Sequence, residues 1–270
     1  MPRRSCSALA LALALAAGCA GLTPREEVVL GARMHERIRW ERPLLEDRVV
    51  TQYLEAIARD VLRAAPDEAF GYRFSVIVDD EINAFAGPGG YVYVNTGTIL
   101  RARDVSELAG VLAHEIGHVE RRHVSQNVAR QRAAGVARQV GVVAAGVAAG
   151  PAAASAASVL GGVAGLAALN SFGREAEREA DAFAVEILPR AGYDPEGLLT
   201  FFETLEAETR GAPPAFLSSH PATAERIAQA RRLVEAARGR DGLRRDDGGK
   251  LEIIQRRIRL LTDPAPRAGR

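Results

Sequence analysis

The sequence predicts an α+β fold, mainly helical with a small sheet. Apolar residues recur at helical spacing through most of the chain, each run opened by proline or a capping side chain, whereas only two runs read as strands. In addition, 47% of the 270 residues are hydrophobic, enough for a sizeable core, although aromatics are only 5% and much of the rest is alanine.

Along the chain, the first segment reads as a secretory leader. Arg3 and Arg4 make a positive start, ALALALALAAG follows as a short apolar run, and small residues lead to Cys19. The run is short for a membrane span, which needs about 20 apolar residues. LAAGC resembles the lipobox of bacterial lipoproteins, with Ala16 where leucine is commoner. That resemblance implies a signal peptide over 1–18, lipidation at Cys19 and, since residue 20 is not aspartate, an outer-membrane lipoprotein facing the periplasm. Cys6 and Cys19 are the only cysteines, so the body of the chain holds no disulfide pair. Lys plus Arg (35) balances Asp plus Glu (34), which gives no basic field for nucleic acid.

A first helix opens at Pro24, and a second opens at Pro43 with Val49, Tyr53, Leu54, Ile57, Val61 and Leu62 as its apolar stripe. YRFSVIVDD and GGYVYVNTG are the strand runs, rich in β-branched and aromatic residues. Asp104, with Glu107 as a capping box, opens a helix expected to reach Val124 or beyond. GREAEREADAFAVEIL ends at Pro189 and Gly192, DPEGLLTFFETLEAE opens on Asp194 and Pro195, and ATAERIAQARRLVEAARG follows SSHP, whose Pro221 is expected at its first turn. An amphipathic stretch, KLEIIQRRIRLL, closes the chain before a tail. Between Gln139 and Gly173 there is no charged side chain, but two crossings of a bilayer need about 40 apolar residues. A helical hairpin bent at Gly150 and Pro151 fits that segment better, as a lid over a cleft, a bilayer contact or a plain buried hairpin.

His114 and His118 stand four residues apart, about 40° around a helix, so both imidazoles leave one face and can share an ion. Glu115 lies where its carboxylate can reach the attacking water without ligating, the arrangement of H-E-x-x-H zinc peptidases. His123 is turned roughly 140° to 180° from both while the helix stays regular, so it reads as a polar or packed helix residue. Catalytic zinc usually takes three protein ligands. EAEREAD offers Glu175, Glu177, Glu179 and Asp181, of which Glu177 and Asp181 share a helical face. One of them can ligate while the other supports a ligand.

HEIGH followed by EREAD resembles the gluzincin metallopeptidases that include HtpX and the CAAX prenyl proteases. The likeness extends through NAFAGPGGYVYVNTGTIL, SELAGVLAHEIGHVERRH and SSHPATAERI, over about residues 25 to 235. That group also includes the periplasmic members LoiP and BepA, and the size and lipobox look most like LoiP. The resemblance implies a zincin-type domain with a small β-sheet beside the H-E-x-x-H helix, holding one Zn2+ per chain on His114, His118 and Glu177. Asp181 becomes the partner of a ligand histidine and Glu115 the catalytic base. His220 is expected near the zinc, either as a reversible fourth ligand or as a stabiliser of the transition state, and Arg226 at the active-site rim. Gly173 stands where such proteins often have serine.

The predicted organisation is a leader at 1–18, a peptidase domain at 19–238, and a C-terminal loop, amphipathic helix and tail at 239–270. GGYVYVNT is expected to offer a sheet edge to an extended peptide, with Phe85, Ala86 and Gly87 lining that edge. The expected function is a zinc-dependent endopeptidase of the bacterial cell envelope, held to the membrane by its lipid, with misfolded or misassembled envelope proteins as substrates and no nucleic acid partner. The alternative, a mainly non-proteolytic assembly factor for outer-membrane proteins, uses zinc structurally and has no need of Glu115 as a base.

Overall fold

The computed structural model describes residues 21–66, 70–131, 171–208, 214–237 and 242–263. Cys19 and the Ala/Gly hairpin expected at 133–170 therefore lie outside the described residues. Helix α1 (Pro24–Glu41) begins where Pro24 suggests: Thr23 caps it and Glu26 reaches back to close a capping box. Helix α2 (Arg48–Ala64) starts later than Pro43 suggests, because Asp47 accepts hydrogen bonds from the Val49 and Val50 amides. Residues 43–45 instead lie along strand β1 (Arg73–Ile77), with Leu45 N–H donating to Val76 O and Val78 N–H to Pro43 O. The buried stripe of α2 is Val50, Leu54, Ile57, Ala58 and Val61, while Val49 faces solvent.

Asp47 also holds the Arg257 guanidinium, and that hydrogen bond with the cap lowers its carboxyl pKa from 3.8 to about 2. A depressed carboxylate stabilises the fold fully above its unfolded pKa and loses that contribution as pH falls through the folded one. Asp47→Ala is expected to cost about 1 kcal/mol in urea denaturation at pH 7, and its deficit against wild type should shrink between about pH 4 and pH 2.

Strands β1 (Arg73–Ile77), β2 (Ala84–Gly87) and β3 (Tyr91–Asn95) form one sheet in the order β1-β3-β2. β1 runs parallel to β3, pairing Phe74 with Val92, and β2 runs antiparallel to it, pairing Ala86 with Val92. GGYVYVNT is therefore not an edge: β3 is buried along its whole length and paired on both sides. Residues 43–45 line the outer side of β1, so among the described residues the open edge belongs to β2. The turn between β2 and β3 uses Gly89 (φ 72°) and Gly90 (φ 88°), a left-handed backbone that side chains resist.

Short helix α3 (Thr96–Arg101) leads to α4 (Val105–Glu120), which is buried from Val105 through Val119. A helix buried on every side lies at the centre of a domain, and α4 packs against α2, β2, α5 (Arg174–Arg190) and α6 (Glu196–Glu208). Gly117 permits the approach to α5, since a Cβ there would stand 3.2 Å from the Ala180 Cα. Asp104 caps α4 through the Glu107 amide, but the Glu107 carboxylate accepts from Arg103 N–H, one residue farther back than a capping box requires. The helix also stops short of Val124. Arg121 caps it, Arg122 takes a positive φ of 55°, and a new helical run covers 123–131.

Helices α7 (Ala215–Ser219) and α8 (Ala224–Ala236) flank residues 220–223. Thr223, not the proline, opens α8, and His220 is the C-cap of α7, so His220 and Pro221 lie between helices. Helix α9 (Lys250–Thr262) buries Leu251, Ile254 and Ile258 in the same core as α2 and α4. Among the described residues no helix is long and apolar enough to cross a membrane.

Candidate metal centre

Two neighbouring helices and one interhelical turn build the site. α4 contributes His114, Glu115 and His118, α5 contributes Glu177 and Asp181, and His220 arrives from the turn after α7. His114, His118, Glu177 and His220 are buried, and one ligand atom from each falls within 4.8 Å of all the others. His114 Nε2 lies 3.0 Å from His118 Nε2, and each lies 3.6 Å from a Glu177 oxygen. Tetrahedral ligands about 2.1 Å from a zinc ion stand about 3.4 Å apart, and the two imidazole nitrogens and the Glu177 carboxylate, whose Oε2 faces His114 and Oε1 faces His118, stand at separations near that. His220 Nδ1 joins the group, 3.3 Å from His114 Nε2 and 3.0 Å from Glu177 Oε1.

The supporting contacts differ from one member of the cluster to the next. His114 Nδ1 faces Asp181 Oδ1 at 3.0 Å, so the two acidic residues that share a face of α5 divide between the cluster and its support. Arg226, expected at the rim, is buried beneath the cluster. Its guanidinium forks onto both Asp181 oxygens, reaches Glu177 Oε2 at 2.7 Å and lies over the Phe202 ring. Burial hides that cation from any sequence reading, since an arginine in a helical run ordinarily faces water. The ring of Phe172 stacks on His118 at 4.0 Å between centroids, and Phe216 stacks on His220 at 4.6 Å. A cavity of roughly 30 Å³ opens beside Glu177, lined by Phe172, Arg174, Arg178, Thr223 and Arg226.

Electrostatics separates the residues by role. Burial lowers the pKa of His114 and His118, which favours the neutral imidazole that ligates metals. Burial opposes charge on His220 as well, but the carboxylates of Glu177 and Glu115 outweigh it and raise its pKa. Glu177 and Asp181 are held below the usual carboxylate range because neighbouring cationic groups, His220 first for Glu177 and Arg226 first for Asp181, overcome burial. Glu115 goes the other way: burial pushes it up to about 7. Both of its oxygens are buried without a hydrogen-bond partner among the described residues, and Oε1 sits 3.6 Å from His220 Nε2. A buried, unsatisfied carboxylate is costly to keep unless something else meets it.

His123 is the residue the sequence arithmetic left out. The break at Arg121 and Arg122 swings it back, and its Nδ1 comes within 2.8 Å of His118 Nδ1. A regular helix puts the two on different faces, so only the interruption brings them together.

The chain matches the model of a family described as Peptidase family M48 over residues 45–234. A putative beta-barrel assembly-enhancing protease of Vibrio cholerae is 35% identical over 226 residues, covering 78% of this chain and 44% of that protein. The beta-barrel assembly-enhancing protease of Escherichia coli is 32% identical over 217 residues, covering 79% and 45%. The metalloprotease LoiP of Escherichia coli is 30% identical over 163 residues, covering 60% and 63%. The chain thus spans less than half the length of the first two relatives.

Proposed function

This chain belongs to peptidase family M48, and on that premise we propose that it is a zinc-dependent endopeptidase of the bacterial cell envelope, anchored by a lipid on Cys19 and acting on misfolded or misassembled envelope proteins. The observation that carries the reading is Glu115, a buried carboxylate with no hydrogen-bond partner among the described residues, next to a His–His–Glu donor set of zinc-site dimensions. A structural zinc site has no use for such a base.

Zinc held by His114, His118 and Glu177 would supply Lewis acidity toward the scissile carbonyl and the attacking water. Glu115 takes the proton of that water and passes it to the leaving amine. His220, within reach of both Glu177 and Glu115, serves either as a fourth ligand that keeps the enzyme latent or as a donor to the transition-state oxyanion.

The peptide itself pairs with β2. Asn95 N–H bonds to Asn83 O, which sets the parity of the β2–β3 ladder. Phe85 and Gly87 therefore turn their backbone groups toward β3, and Ala84 and Ala86 turn theirs to the open edge. β2 packs against α4, so a peptide added at this edge runs past the helix that carries Glu115. Backbone pairing tolerates many side chains and suits unfolded substrates. Leu22 is buried and its N–H donates to Ser125 Oγ; an acylated Cys19 would hold that face within about 10 Å of the bilayer.

The test is casein cleavage by zinc-loaded protein, with and without a chelator. Cleavage that disappears on chelation and returns with zinc is the expected result. The same assay on His220→Ala should show altered activity in one direction or the other; unchanged kinetics and zinc affinity would reduce His220 to a packing residue. Zinc binding without cleavage in either protein would favour the assembly factor.

A further inference from the structure

We infer that His123 and Glu179 form a positioning relay that locks His118 in the one neutral tautomer able to bind a metal ion. The inference rests on the reading of His118 as a ligand. His123 Nε2 lies 3.2 Å from Glu179 Oε2, while its Nδ1 lies 2.8 Å from His118 Nδ1. Glu179 is half-exposed, and an ionised carboxylate only accepts hydrogen bonds. His123 therefore donates from Nε2, and the Nδ1 of a neutral ring so protonated is an acceptor. The only proton that fits between the two Nδ1 atoms is then His118's own. With its hydrogen on Nδ1, His118 turns a bare Nε2 toward His114 Nε2 and Glu177 Oε1. The opposite tautomer would place a proton on Nε2, where an ion would have to bind.

The two ligand histidines are thus fixed by different means. Asp181 faces His114 directly, and Asp181 is neutralised by Arg226. A further carboxylate against His118 would add a fourth acidic group to a buried site that already holds Glu115, Glu177 and Asp181. An intervening imidazole carries the orienting bond outward instead, to a carboxylate that water can solvate. Arg122 makes this possible through its positive φ. Such a conformation persists in a non-glycine residue only where its surroundings enforce it, and here the Arg122 side chain is bound to Glu27 and to the Leu22 carbonyl.

The experiment compares wild type, His123→Leu, His123→Asn and Glu179→Ala in two measurements. One is zinc affinity by competition with a chromophoric chelator; the other is the 15N signature of the His118 ring in the metal-free proteins. His123→Leu should weaken zinc about 10- to 100-fold and let His118 populate the Nε2–H form. His123→Asn, whose side-chain oxygen can stand near the lost Nδ1, should recover most of both. Glu179→Ala, at an exposed position that leaves the core intact, should loosen zinc several-fold with unchanged Tm. A structural role alone would lower Tm without changing the tautomer. The inference is overturned if His118 carries its proton on Nε2 in wild type, or if His123→Leu binds zinc within twofold of wild type. A wild type that takes up no zinc would reject the site reading, and His123's role with it.

Discussion

Glu115→Gln is expected to reduce casein cleavage about 100- to 10,000-fold, the usual contribution of a general base, while zinc content stays that of wild type. Both halves of the expectation come from where the carboxylate sits. It is absent from the group formed by His114, His118, Glu177 and His220, so removing its charge takes away no ligand. It stands next to that group with both oxygens unsatisfied, so an amide of the same shape fits but cannot accept a proton. In the metal-free protein burial raises its pKa to about 7. The same shift has a consequence for stability. A carboxyl group whose folded pKa is raised costs the fold stability once pH passes its unfolded value, so the glutamine variant should melt no lower than wild type at neutral pH. Undiminished cleavage by the glutamine variant would remove Glu115 from the chemistry. A variant that lost both cleavage and zinc would instead place Glu115 among the ligands.

Arg226→Met should destabilise the metal-free protein by about 3–5 kcal/mol, the cost of removing one partner from a buried ion pair. The arginine is 4% exposed and holds both oxygens of Asp181 together with Glu177 Oε2. Methionine keeps much of the side-chain volume, so the loss reports two stranded carboxylates more than a cavity. Zinc loading should recover part of the deficit, because an ion on Glu177 compensates one of the two charges. Asp181→Leu added to Arg226→Met should cost less than the arginine change alone would suggest, since both ends of a buried pair then leave together. Chemical denaturation of the three proteins, with and without zinc, measures all of this. A loss under about 1 kcal/mol in the metal-free single variant would mean that the fork is loosely made and Arg226 closer to a rim residue.

Much of the centre was legible in the sequence, and its local part most of all. His114 and His118 share a face because four residues turn a helix by little more than one revolution, and Glu177 and Asp181 share one for the same reason. The first helix begins beside Pro24 as expected, with Thr23 as its cap, whereas Asp47 and Thr223, side chains that satisfy free amides at a helix start, open their helices in place of the prolines the sequence suggested. The family likeness carried the rest of the expected donor set, pointing to Glu177 and to His220, residues that no local rule connects to α4.

Tertiary structure decided the remainder. It made β2 the open edge and β3 the centre, because the strand that pairs on both sides is chosen by what packs around the sheet and not by its own apolar content. It drew Arg226 from an ordinary helical face into the core beneath two carboxylates. It broke α4 at Arg122 and so returned His123 to His118, which uninterrupted helix geometry forbids. Periodicity along the chain fixes the angles between side chains of one regular element. It carries no information about where that element is interrupted, or about which distant residue fills the space opposite, and those are settled by packing and by the need to pair every buried charge.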